Sequence, residues 1–303
     1  MSEWYETNEK WYPSEYGASD QLGTLNHLTP EKVIASLRLV RKGKVLRLNH
    51  EIFNGMPGRQ DRHGPFFYLL SQRVYDQRPP FRESTKNRFG AALCRVEMVD
   101  HLGTHLDSLN HIAFDNKFYN GMDAFDLSTT WGTPKLGIET TPPIVTRGVC
   151  IDATEGRDIM EPGEPIGMEV VEKFLKDRNM AISPGDAVFF YTGVGRLWNE
   201  PQKYNRYYDA SPGIGIELAK WLARNKVALS GSDTPSTEVT PPELPGTRLP
   251  VHQYLITLNG IRLIDNLNLN EVIDQSASEF LFMLSPLMIR GATASPVAPV
   301  ALI

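Results

Sequence analysis

The chain has 303 residues, 41% of them hydrophobic, which suffices for one large domain or two small ones. A formal net charge of -5 and the lack of any long Lys/Arg block exclude the basic face that nucleic-acid binders present. No apolar run approaches the ~20 residues of a membrane span, since the best candidate, 280–289, is broken by Ser285 and Pro286.

The opening MSEWYETNEK lacks the basic start and apolar run of a secretory signal, so a soluble cytoplasmic protein is expected. Trp4, Tyr5, Trp11, Tyr12 and Tyr16 follow no helical or alternating period. Residues 1–28 therefore read as an N-terminal arm, lying either on another surface such as a neighbouring subunit or on its own domain. Thr29 and Pro30 open a helix as N-cap and first-turn residues. Val33, Ile34, Leu37 and Val40 give it an apolar face, and Gly43 ends it. KVLRLNHEI is a strand with Leu46 and Leu48 on one face, and residues 55–64 form a loop. The stretch His63-Gly64-Pro65-Phe66-Phe67-Tyr68 is either a pocket wall for a cyclic substrate or a core strand edge. Cys94, Val96 and Met98 alternate with Arg95 and Glu97, a strand leading into HLGTHLDSLNH (101–111).

Residues 115–143 are rich in Asn, Gly, Thr and Pro and predict loops. VTRGVCIDA is a strand, Met168–Asp177 a helix, and AISPGDAVFFYTG a turn and buried strand. Ser211 and Pro212 again suit an N-cap, for a helix through Leu218, Trp221 and Leu222 into the strand VALSGSD. A proline-rich loop (Pro241, Pro242, Pro245, Pro250) precedes a short helix at 251–258, the strand IRLIDNL and a last core strand, EFLFMLSPLMI. Alternating strands and helices, without repeat or linker, predict one α/β domain over 1–303. Cys94 and Cys150 sit in apolar strand contexts and are expected as buried reduced thiols.

The segment 101–111 holds three of the 7 histidines. His101, His105, Asp107 and His111 fall at i, i+4, i+6 and i+10, all even intervals. An extended chain would turn all four to one face, whereas a helix would spread them over roughly 160°. A straight strand would still separate the outer two by about 33 Å. A shared site therefore requires a bend at Gly103 and a turn after Asp107. Imidazole and carboxylate then suit one divalent ion, Zn²⁺ or Mn²⁺, with a coordination position left for water. The alternative is a surface loop of histidines with no shared partner. His27, His50 and His63 have no motif around them and suit packing or surface roles. Asp233 ends a strand, either at a functional position or as a structural carboxylate anchoring the turn to Ser236.

HLGTHLDSLNH resembles HxGTHxDxPxH, the signature of the metal-dependent cyclase-like hydrolases, the group of bacterial kynurenine formamidase, isatin hydrolase and a zinc-dependent dienelactone hydrolase. Leu109 stands in place of the proline. SPGDAVFFYTG, SPGIGIELAKWLARNKVALSGSDTPS and HQYLITLNGIRLIDNLNL resemble later family segments. In the last of these, His252 matches, while Asp265 replaces a glutamate and lies one residue further on. GATASPVAPVAL resembles the closing segment without its arginine. The resemblance implies a swivelling β/α domain with a mixed, barrel-like sheet and outer helices, assembled as a homodimer or homotetramer. It implies that His101, His105 and Asp107 bind the catalytic ion. His252 and Asp265 complete that site or hold a second ion bridged by Asp107, and His111 transfers the proton. The expected function is hydrolysis of a C–N or C–O acyl bond in a small formamide, cyclic amide or lactone by metal-activated water. A non-catalytic metal or small-molecule binder, or a metal-dependent dehydratase or isomerase, are the alternatives.

Overall fold

The computed structural model describes residues 5, 10–59, 64, 66–74 and 85–303; His63, Pro65 and Trp4 lie outside them. In chain order the strands are β1 (Val45–Arg47), β2 (Phe67–Gln72), β3 (Leu93–Glu97), β4 (His105–Asp107), β5 (Lys117–Phe118), β6 (Met122–Asp123), β7 (Ile144–Asp152) and β8 (Pro165–Ile166). They continue as β9 (Ala187–Tyr191), β10 (Gly213–Ile214), β11 (Leu229–Ser232), β12 (Arg262–Asp265), β13 (Glu279–Leu284), β14 (Ala294–Pro296) and β15 (Val300–Leu302). Nine of these form one curled, half-barrel sheet in the order β1-β15-β13-β7-β9-β11-β12-β4-β14. Its centre, β7-β9-β11-β12, is parallel, and both flanks are antiparallel. This is the expected mixed, barrel-like sheet with outer helices.

The central strands read as nearly unbroken apolar runs because both faces are covered. Along β9, Val188 and Phe190 face one core with Val149 and Ile151 of β7. Phe189 and Tyr191 face the other with Cys150, Phe280 and Phe282. The first core is closed by the helices Met168–Asp177, through Val171 and Phe174, and Ile216–Arg224, through Leu218 and Leu222. Each fully buried side chain of this size contributes roughly 1.5–3 kcal/mol.

Four expectations need correction. The helix Pro30–Leu37 forms with Thr29 as N-cap, but Ile34 and Leu37 are half exposed. Its inward face instead buries Ser36 and sets Lys32 against Asp186 at 2.5 Å. Ser211 does not cap a helix. Gly213 and Ile214 first pair with β8, and the helix begins at Ile216 behind Gly215. Cys150 is buried, but Cys94 is exposed. Its strand alternates as read, yet among the described residues β2 and β3 pair only with each other, and both faces are exposed. For the same reason Phe67 and Tyr68 belong to an exposed ribbon rather than a core strand edge.

The described part of the N-terminal segment lies on the chain's own domain. Ser14 N donates to Asn120 Oδ1 at 2.7 Å, Trp11 packs on Phe114, and the buried Arg262 donates to the Leu22 carbonyl at 2.7 Å. Among the described residues, no helix is long and apolar enough to cross a membrane.

Candidate metal centre

The site is built on β4, which lies between β12 and β14. Leu106 turns to the core, so His105 and Asp107, one residue either side, share the opposite face. The antiparallel register sets Asp265 directly across from His105, and cross-strand neighbours of this kind lie side by side. Gly103 takes the left-handed conformation (φ +71°), as the bend requires. That bend is clamped on both sides. Thr104 Oγ1 donates to the Asn266 carbonyl at 2.5 Å, and Asn266 Nδ2 donates to the Gly103 carbonyl at 3.1 Å. After Asp107 the chain turns, with His111 N donating to the Ser108 carbonyl at 3.2 Å. Leu109, in the position of the family proline, is fully buried in the helical core, so packing pins this turn.

These bends gather every residue that the sequence singled out for metal or proton transfer. The Nε2 atoms of His101 and His105 lie 3.3 and 3.6 Å from Asp107 Oδ1. Those of His252 and His111 lie 3.8 and 4.0 Å from Asp107 Oδ2. Asp265 Oδ2 is 3.9 Å from His105 Nε2 and 3.8 Å from His252 Nε2. Asp265 therefore reaches the cluster despite being shorter than glutamate. Two sets of ligand atoms lie within 4.8 Å of one another and share Asp107: His101, Asp107 and His111, and His105, Asp107 and Asp265.

The remaining atoms of these side chains are held from behind. His101 Nδ1 donates to Asp100 Oδ1 at 2.9 Å, and His105 Nδ1 donates to the Gly103 carbonyl at 2.9 Å. His252 Nδ1 donates to Glu238, which also accepts from the backbone of Val251 and His252 at 3.2 Å each. Asp265 Oδ1 accepts from Thr237 N and Oγ1 at 2.8 and 2.7 Å. Outer partners of this kind fix the tautomer and aim Nε2 inward. Asp100 precedes the motif directly, so adjacency was a usable signal for it. Glu238 lies 14 residues before His252 and had none.

Burial opposes charge on His101, Asp107, His111 and His252. On His101, Asp100 and Asp107 outweigh burial and push the pKa up to about 10. On His252, burial is likewise overcome by Glu238 and Asp265. On Asp107, burial is overcome by His111, His101 and His105, which hold the carboxyl well below the usual range. His111, with the weakest support, is lowered by burial to about 4. Among the described residues, both oxygens of Asp107 and Nε2 of His101 are buried without a hydrogen-bond partner. Stranding such groups costs several kcal/mol unless something binds them. Imidazole and carboxylate atoms aimed at one point, with none of their protein hydrogen bonds made on that side, fit a divalent ion.

The cluster forms the floor of a cavity of about 600 Å³. Its walls include Ser236 and also Arg59, Val99, Tyr207, Tyr208 and Arg248, which carry no motif in the sequence. Of the other histidines, His27 bonds Tyr16 and His50 stacks on Trp198, both packing roles. Asp233 is structural too. It accepts from Thr192 N and Oγ1, Gly193 N and Gly195 N, and so anchors the 192–195 turn rather than Ser236.

The chain is similar to proteins of known family. The model of the family described as "Putative cyclase" matches residues 46–239. A kynurenine formamidase of Bacillus thuringiensis subsp. konkukian is 26% identical over 209 residues, covering 68% of this chain and 78% of that protein. A crystal structure described as a novel cyclase superposes with a TM-score of 0.85 at 25% identity, over 95% of this chain and 98% of that one. Isatin hydrolase A from Ralstonia solanacearum shares the fold, with a TM-score of 0.64 at 20% identity over 86% of this chain and 92% of its own. The chain belongs to the cyclase family.

Proposed function

We propose that this protein is a metal-dependent hydrolase of a small amide, cyclic amide or lactone. The observation that carries the reading is Asp107, a buried carboxylate with no hydrogen-bond donor among the described residues and four imidazole nitrogens within 4.0 Å. The similarity to a kynurenine formamidase and the shared fold with an isatin hydrolase support amide chemistry.

His101, His105, Asp107, His252 and Asp265 would hold one or two divalent ions, Zn²⁺ or Mn²⁺. A divalent ion in such a set supplies a water with a pKa near 7 and polarises a carbonyl oxygen. The chain's own residues do the rest. Asp100, Glu238 and Thr237 orient the ligand atoms. Val99, Ile112, Tyr207, Tyr208 and Leu249 wall the cavity in which the acyl group would sit. His111 lies at the edge of the cluster with its Nε2 4.0 Å from Asp107 Oδ2. It is the group placed to take a proton from attacking water and pass it to the leaving nitrogen or oxygen. Its proximity to His101 and Asp107 also suits a ligand role at a second ion, and one variant separates the two.

The test is hydrolysis of a panel of formamides, isatin-type amides and lactones, with and without chelator. Chelator-sensitive turnover with addition of water is expected; its absence on every compound sinks the reading. His105→Ala should lose metal and activity together. His111→Ala should keep metal and lose roughly 10²–10⁴-fold in turnover; loss of an ion equivalent instead makes His111 a ligand.

A homodimer or homotetramer in the cytoplasm is part of the same proposal. The β2–β3 ribbon, with Leu70, Leu93 and Val96 exposed, supports assembly, and light scattering checks it.

A further inference from the structure

The cavity above the cluster contains charge that catalysis does not use. It is lined by two arginines, and they differ. Arg59 pairs with Asp209 at 3.3 Å. Arg248 makes no hydrogen bond or ion pair among the described residues. Of the three carboxylates among the described lining residues, Asp100 is held by His101, Thr293 and Ala294, Asp265 is held by Thr237, and Asp107 lies among the four imidazoles with no hydrogen-bond donor. Among the described residues, no acid of the cavity pairs with Arg248.

The loop around Arg248 is specified locally. Leu249 adopts the left-handed conformation (φ +53°) immediately before Pro250, where a branched residue pays a steric penalty. Pro250 begins the helical turn that carries His252. Arg248 is thus attached to the ligand-bearing element through two constrained residues rather than a slack loop. Ser236, in the same cavity wall, has its Oγ buried with no partner among the described residues, one residue from the Thr237 that holds Asp265. Tyr207, Tyr208, Val99, Ile112 and Leu249 form an apolar and aromatic wall in the same cavity. A ligand with a flat or apolar body, one hydrogen-bonding group near the reacting acyl and one anionic group further off would satisfy each of these.

We infer that Arg248 is a specificity-determining residue that selects substrates carrying a carboxylate remote from the scissile acyl bond. The inference rests on the hydrolase reading of the same cavity and adds a substrate class to it. A guanidinium recognises a carboxylate through paired, charge-assisted hydrogen bonds. Because Arg248 is exposed, its contribution is modest and weakens with salt.

The matched probes are 4-formamidobenzoate and its neutral isostere 4-formamidobenzamide, with zinc-loaded protein. Wild type should prefer the carboxylate by about tenfold in kcat/KM, carried by KM. R248M should bring the two within about twofold, and R248E should invert the preference. Calorimetric binding of 4-aminobenzoate against 4-aminobenzamide reads the subsite without turnover, and the same Arg248 dependence is expected. If neither amide is hydrolysed but aminobenzoate binding still depends on Arg248, the hydrolase reading falls and the subsite stands. A carboxylate preference that survives in R248M overturns the inference, as does failure of wild type to distinguish the two ligands.

Discussion

Two aspartates at the ends of sheet strands show how differently one residue type is used in this molecule. Asp233 and Asp107 are both buried, at 0% and 1% exposure, so accessibility cannot tell them apart. Asp233 accepts four hydrogen bonds from the 192–195 turn. Asp107 accepts none among the described residues and faces four imidazoles. A carboxylate saturated by backbone donors is architecture. One left bare at equal depth leaves a desolvation cost that a cation can offset. The pair therefore separates the fold's needs from the site's, and the variants below set one against the other.

The largest effect is expected at Asp107. Asp107→Ala should abolish turnover, by about 10³-fold or more, while circular dichroism remains native. Next, Glu238→Gln keeps its shape but weakens the orientation of His252. Metal affinity measured by competitive chelation should fall by roughly 10–100-fold. Asp233→Asn should do the opposite of Asp107→Ala: it keeps its metal and loses about 2–3 kcal/mol in chemical denaturation, because an amide donor now faces N–H groups. Were Asp233→Asn to lose metal without losing stability, the contrast would collapse.

A further effect is read through pH. His50, stacked on Trp198, has its pKa lowered by burial to about 4 from an ordinary 6.5. The folded state thus resists protonation, and this contribution is full above pH 6.5 and shrinks as pH falls towards 4. Asp233 runs the other way. Burial raises its pKa to about 6 from 3.8, so the folded state takes up the proton first and gains stability as pH falls through that window. His50→Phe, which keeps an aromatic ring beside Trp198, should flatten the acid-side loss by on the order of 3 kcal/mol at most. Urea denaturation across pH 4–7 measures it, and an unchanged slope removes His50 from the account.

The comparison also explains what could be read from the chain alone. The strands β7, β9, β11, β12 and β13 and the helix Met168–Asp177 were legible because burial on one or two faces leaves a period in the sequence. His101, His105, Asp107 and His111 were legible because even spacing and a glycine encode a one-faced, bent strand. Asp265 came from family resemblance, and the β12–β4 register supplies its physical reason. Glu238 and Arg248 could not be seen, since only the folded loops bring them to the site. The half-exposed helix Pro30–Leu37 and the exposed β2–β3 ribbon misled for one reason. Periodicity reports an apolar face but not whether the chain itself covers it.

The central claim is that Asp107 is bare because an ion belongs there. Elemental analysis of purified wild type and Asp107→Ala tests it most directly. The account predicts one or two equivalents of zinc or manganese per wild-type chain and almost none in the variant. Full metal content in Asp107→Ala, or a wild type that takes up no divalent ion after reconstitution, would contradict it.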